Sequence, residues 1–143
     1  TVQEAASTTA RAPDAAQDKP LILLAEDNAA NVSTVSRYLE AVGYQVTVAR
    51  DGVATLECAR AARPDLILMD IQMPGMDGLE ATRRIRADDA LQNVPIIAVT
   101  ALAMPGDRER CMAAGADAYL RKPVKLQQLA NAIQAQLNET SEV

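Results

Sequence analysis

Five short apolar runs alternate with five helix-period segments along this chain, and no other feature restricts its fold as much. The runs are "LILLA" (21–25), "YQVTVA" (44–49), "DLILMD" (65–70), "PIIAVT" (95–100) and "DAYLRK" (117–122). The first, third and fourth lack the polar–apolar alternation of a half-exposed strand, as expected for strands covered on both faces. Between the first two, "NAANVSTVSRYLEAVG" sets Val32, Val35, Leu39 and Val42 at helical spacing and stops at Gly43. "GVATLECARAA" (52–62) is helical until Pro64 breaks it, "GLEATRRIRAD" (78–88) is the third helix, and Gly115 closes the fourth, "GDRERCMAAG" (106–115). "KLQQLANAIQAQL" (125–137) lines up Leu126, Leu129, Ile133 and Leu137 on one face. Strict strand–helix alternation predicts an α/β fold: a parallel sheet with right-handed crossovers and helices on both faces.

At 143 residues the chain holds one domain with a real core. A net charge of −5 argues against phosphate-backbone binding as its main task. No apolar stretch approaches the length of a membrane span, and no signal-peptide pattern is present. Cys58 and Cys111 lie far apart in helical segments without metal-ligand spacing, so they read as small core or surface residues of a reducing compartment, with a disulfide the less favoured alternative. The absence of histidine excludes imidazole chemistry within the domain. Residues 1–19 carry one large aliphatic side chain, Val2, too little apolar area to offset chain entropy. They are expected to be a flexible linker or tail; a helix packed on the domain is the alternative. A first residue of Thr rather than Met suggests an excised piece or a processed product.

In open parallel sheets the ligand site lies outside the carboxyl ends of the strands. There the sequence places Glu26 and Asp27 after the first strand, Asp70 at the end of the third, Thr100 at the end of the fourth and Lys122-Pro123 just past the fifth. Three crowded carboxylates repel one another unless a cation sits among them, and a hard oxygen set of this kind suits Mg²⁺. Lys122 adds a point charge able to pair first with a carboxylate and then with a phosphoryl group. The set resembles a site that accepts a phosphoryl group on a carboxylate. Singly, each residue has an ordinary alternative: Asp27 or Asn28 capping a helix, Asp70 capping a turn, Lys122 solvated at the surface. Their joint placement on one edge is what points to chemistry.

The stretches "LLAEDN", "PDLILMDIQMPGMDG", "IIAVTA" and "AYLRKPV", in this order and spacing, resemble the receiver (response-regulator) domains of two-component phosphorelays. The resemblance covers residues 20–139, with 140–143 as a C-terminal tail. It implies a flavodoxin-like doubly wound (βα)5 fold with strand order 2-1-3-4-5. It implies Asp70 as phosphoacceptor, Asp27 as a direct Mg²⁺ ligand, Glu26 acting on the metal through water, and the backbone carbonyl of Gln72 as a further ligand. Mn²⁺ is expected to substitute for Mg²⁺. Thr100 and Lys122 would contact phosphoryl oxygens, and Tyr119 matches the aromatic switch position paired with Thr100. Glu26 stands where many family members have Asp. Gln72 and Leu102 flank the approach of a hydrolytic water, which an apolar Leu102 should hinder. Gly75 and Gly78 let "MPGMDG" turn away from the acceptor, and Pro74 stiffens that turn.

The functional expectation is a phosphoryl-accepting signalling domain whose partner is a histidine kinase or a histidine phosphotransfer domain. Catalysis by the domain itself would extend at most to its own phosphorylation and dephosphorylation. An aspartate-nucleophile phosphatase is the alternative from another class. That pattern carries a second Asp two residues after the nucleophile, where this chain has Gln72, which cannot exchange a catalytic proton. The preceding linker-like segment, the lack of a following output domain and the stretch "ILLAEDNAANVSTV" are most like the receiver of a hybrid sensor histidine kinase. A stand-alone regulator is the runner-up. The domain is expected in the cytoplasm, without nucleic-acid binding or membrane insertion of its own, even if a parent kinase is membrane-anchored.

Overall fold

The computed structural model describes residues 19–73, 75–101 and 105–141. Most of the expected linker (1–18), Pro74 and Leu102 therefore lie outside the described residues. The elements are β1 (Leu21–Ala25), α1 (Ala29–Ala41), β2 (Gln45–Ala49), α2 (Gly52–Ala62), β3 (Leu66–Asp70), α3 (Gly78–Ala87), β4 (Ile96–Thr100), α4 (Asp107–Ala114), β5 (Ala118–Arg121) and α5 (Leu126–Ser141). The five strands form one parallel sheet in the order β2-β1-β3-β4-β5. Fold class and strand order agree with the sequence reading.

The continuous apolar strands are explained by two separate cores. Leu23, Ile67, Met69, Ile96 and Ala98 face one side of the sheet, against Leu56 and Ala59 of α2, Ala81 and Ile85 of α3 and Cys111 of α4. Ile22, Leu24, Leu66, Leu68 and Ile97 face the other, against Leu39 of α1 and Leu129 and Ile133 of α5. Successive strand residues thus alternate between two buried faces. Each fully buried Ile or Leu contributes about 1.5–3 kcal/mol through apolar surface removed from water. Cys58 and Cys111 are both free.

Local signals fix most element ends. Asn28, Asp51 and Asp77 cap α1, α2 and α3 by accepting from the backbone N–H groups of Asn31, Ala54 and Glu80. The last helix departs from expectation. It runs through Ser141, past the expected end at Leu137. Apolar periodicity marks only the packed part, and "NETS" after Leu137 contains neither Gly nor Pro to stop the helix.

The edge of the sheet away from the carboxyl strand ends is held by Arg86. Its guanidinium donates to the Gly115 carbonyl at 2.8 Å, the Val94 carbonyl at 2.6 Å and the Asp117 carboxylate at 2.6 Å. Asp117 in turn accepts from the Ile96 N–H. One planar fork thereby ties the end of α3 to the start of β4 and the α4–β5 turn.

Candidate functional site

The register of the sheet puts β1, β3, β4 and β5 level at their carboxyl ends, with Ala25 beside Met69, Asp70 beside Val99 and Thr100 beside Arg121. Whatever follows those strands must meet on one rim. β1 leads straight into Glu26 and Asp27, and carboxylate oxygens of Glu26, Asp27 and Asp70 lie within 4.8 Å of one another. The Lys122 N–H bonds the Thr100 carbonyl at 2.8 Å, which extends the β4–β5 pairing by one residue and aims the lysine at the acids. Its Nζ stands 3.2 Å from Glu26 Oε1 and 3.4 Å from Asp70 Oδ2. The Lys122–Pro123 peptide is cis.

Burial differs sharply within this cluster. Asp70 is 4% exposed and Glu26 6%, whereas Asp27 is open to solvent. A cavity of about 100 Å³ beside them is lined by Leu24, Leu68, Val99 and Leu129, so the acids border apolar surface on the α1–α5 side. Burial pushes the Asp70 carboxyl up most. The Gln72 N–H, 3.0 Å from Oδ1, pulls it back, the Glu26 charge raises it and Lys122 lowers it; the result is about 6 against an ordinary 3.8. Partial burial pulls the Lys122 ammonium down, but the charges of Asp70 and Glu26 outweigh it and hold it above its ordinary value.

Close backbone packing shapes the loop after Asp70. A Cβ on Gly78 would lie 2.5 Å from the Asp70 carbonyl oxygen and 2.7 Å from the Ile71 Cα. Only glycine lets α3 begin against the end of β3, where the Gly78 N–H bonds the Ile71 carbonyl. Gly75 has φ +72° and makes the turn itself.

Glu26, Asp27, Asp70 and Lys122 converge as the strand-end argument requires. Thr100 is fully buried at the same rim. Gln72 reaches across to it, its Oε1 accepting from the Ala101 N–H at 3.2 Å. The ordinary alternatives hold in part as well: Asn28 does cap α1, and Asp70 does close a turn onto Gln72. Tyr119 stands apart from the acids, with its hydroxyl 3.0 Å from Asp107 Oδ2. Three contributors are absent from the sequence reading. The Asn28 N–H holds Glu26 Oε2 at 3.2 Å. Gly52 admits the Met76 carbonyl where a Cβ would collide with it. Asp107, which the sequence places inside the fourth helical segment without singling it out, anchors Tyr119. The sequence marks Gly52 only as the first residue of a helical segment, and its contact with residue 76 has no local signal.

Carboxylates at the ends of two neighbouring strands and a lysine paired with two of them meet on one rim of the sheet, and known proteins share this architecture. The polar-differentiation response regulator DivK of Brucella anthropi is 42% identical over 118 residues, covering 82% of this chain and 96% of the relative. The receiver domain of sensor histidine kinase PA1611 from Pseudomonas aeruginosa, described with a magnesium ion coordinated in the active-site cleft, is 43% identical. It has a TM-score of 0.78 over 84% of this chain and 98% of that one. The signal receiver domain of a signal transduction histidine kinase from Syntrophus aciditrophicus is 32% identical, with a TM-score of 0.81 over 87% and 94%. Residues 22–134 match the response regulator receiver domain family, and the chain belongs to it: this is a receiver domain of two-component signalling.

Proposed function

We propose that Asp70 accepts a phosphoryl group from a phosphohistidine of a histidine kinase or histidine phosphotransfer domain, and that this switches the face formed by α4, β5 and α5. The observation that carries the reading is a buried carboxylate held between Lys122, at 3.4 Å, and the acids of β1. A solvated surface aspartate would have neither. In the transfer, an Asp70 carboxylate oxygen bonds to phosphorus while the bond from phosphorus to the donor imidazole nitrogen breaks. The electron pair of that bond returns to the imidazole, and an acyl phosphate forms on Asp70.

Three carboxylates within reach of one another, with a single lysine among them, fit a divalent cation. Asp27 and Asp70 would hold Mg²⁺ directly, with the Gln72 carbonyl, and Glu26 through water; Mn²⁺ would substitute. The cation, when bound, neutralises charge on the transferring group. The magnesium in the similar PA1611 receiver supports this set. Lys122 releases a carboxylate partner to pair with a phosphoryl oxygen, and the Thr100 hydroxyl donates to another. Thr100 moves toward the new dianion, which frees space for Tyr119 to rotate inward and reshape the outer face. Leu102 hinders hydrolytic water.

Two parent contexts each have a specific observation. The 43% identity to the PA1611 receiver favours the receiver of a hybrid sensor histidine kinase. The match across 96% of DivK favours a stand-alone regulator. Among the described residues no helix is long and apolar enough to cross a membrane.

Intact mass after incubation with acetyl phosphate and Mg²⁺ tests the reading. One phosphoryl group gained, and lost when EDTA is added first, is the expected result. No gain, or continuous phosphate release without a stable adduct, contradicts it. Backbone NMR with beryllofluoride tests the switch: beyond the acidic pocket, perturbations should cluster between residues 100 and 122. Perturbations spread over α2 and β2 would refute it.

A further inference from the structure

The contact between Asp107 and Tyr119 is unusual for its position. Asp107 begins α4, directly after Gly106. An acidic residue in a first helical turn is ordinarily a solvated partner for the helix dipole and for a cation three residues on. Arg110, its Nη2 3.0 Å from Oδ1, fills that second role. Yet Asp107 is only 5% exposed, and its other oxygen points across to β5, where it accepts from the Tyr119 hydroxyl at 3.0 Å. Burying an ionised carboxylate costs free energy that a helix-capping charge at the surface would not incur. Arg110, half exposed, accounts for one oxygen. The tyrosine accounts for the other.

Tyr119 shares a sheet face with Thr100. Ala98 and Tyr119 are register partners, and Ala98 and Tyr119 both belong to the core on the α2–α4 side. Thr100, two residues after Ala98, has the same strand parity and faces the same side. Ala98, the register partner of Tyr119, presents only a methyl group beside the ring on that face. In the proposed switch the ring turns toward Thr100, and that rotation takes the hydroxyl off Asp107.

We infer that Asp107 is a positioning residue that latches Tyr119 in the resting conformation, so that activation of the domain must first break this hydrogen bond. The inference rests on the proposed Thr100–Tyr119 switch and names what sets its threshold. The latch couples α4 to β5: when the hydroxyl leaves, α4 loses this hydrogen bond to the strand, and the face they form changes as a unit. By reciprocity, whatever stabilises the resting state weakens binding of the activating ligand by the same factor.

Beryllofluoride affinity at saturating Mg²⁺, measured by calorimetry on the full chain, provides the test. Tyr119→Phe removes one oxygen and keeps the ring. Asp107→Ala removes the acceptor. Each should tighten beryllofluoride binding about tenfold, the fold-change for losing about 1.4 kcal/mol of charge-assisted bonding from the resting state. The double variant should bind no tighter than either single one, because both remove the same bond. A merely structural role for Asp107 would lower stability without tightening the ligand. If Asp107→Ala does not fold, Tyr119→Phe alone decides. Affinity within twofold of wild type, weaker binding, or additive effects in the double variant would overturn the latch while leaving the receiver reading intact. A wild-type chain that does not bind beryllofluoride at all would remove the phosphoryl-acceptor reading, and the latch with it.

Discussion

Replacing Asp70 with Asn should stabilise the metal-free domain at neutral pH. Asp70 is nearly fully buried, and its carboxyl stands at about 6 rather than 3.8. An acid whose pKa is raised by folding binds its proton more tightly in the folded state, so stability falls as pH rises from about 3.8 through about 6 and the penalty is complete above that. The difference, 6 − 3.8 = 2.2, multiplied by 1.36 kcal/mol per unit, makes the ionised Asp70 cost about 3 kcal/mol near pH 7.5. Asn is neutral at every pH and keeps an oxygen for the Gln72 N–H. It also takes one partner from Lys122, which retains Glu26 at 3.2 Å. A net gain of about 1–3 kcal/mol is therefore expected. Urea denaturation in EDTA reads it as a higher midpoint at unchanged slope. The advantage should shrink to about half by about pH 5, where much of the wild-type Asp70 is protonated in the folded state. Adding Mg²⁺ should narrow the gap, because the cation stabilises the wild type by mass action. A variant no more stable than wild type near pH 7.5 in EDTA, or a gap that widens on acidification, would refute the reasoning.

Three further outcomes follow from individual residues. Asp27→Ala should weaken Mg²⁺ and Mn²⁺ binding by calorimetry while the far-UV spectrum and cooperative melt persist, since Asp27 is exposed and its side chain packs in neither core. Gly78→Ala should cost about 1–3 kcal/mol in a chemical melt, because its Cβ meets the Asp70 carbonyl and Ile71 rather than a flexible side chain. Leu102→Asn should speed decay of the phosphorylated chain, followed by intact mass; equal decay rates would leave Leu102 without a role in hydrolysis.

Legibility in the sequence follows the range of the interactions. The strands were readable because both faces of β1, β3 and β4 are covered, which forces runs such as "LILLA" and "LILM" to be apolar throughout. The meeting of Glu26, Asp27, Asp70 and Lys122 was readable because a parallel sheet sends every strand end to one rim. Contacts set by side-chain reach between remote segments were not. Arg86 bonds the backbone of Gly115 and the carboxylate of Asp117, and nothing local to "RRIRAD" distinguishes it from Arg83 and Arg84, which pair with Glu80 on the same helix. Gly52 looked like an ordinary helix start, and its need to be glycine arises only from Met76. Asp107 is one acid among several in a helical segment, and its hydrogen bond with Tyr119 arises only once β5 lies beside α4. The end of α5 escaped for a different reason: its final residues continue the helix beyond the last apolar contact.

The central claim is that the Asp70 carboxylate receives the phosphoryl group, and trapping the acyl phosphate at its residue tests it most directly. The chain is incubated with acetyl phosphate and Mg²⁺, reduced with borohydride, digested and sequenced by mass spectrometry. Reduction converts a phosphorylated aspartate to homoserine and leaves free carboxylates unchanged. Homoserine at position 70 alone, and none in an Asp70→Asn chain treated alike, is the predicted result. Homoserine at position 27, or undiminished phosphoryl uptake by the Asp70→Asn chain, would contradict it.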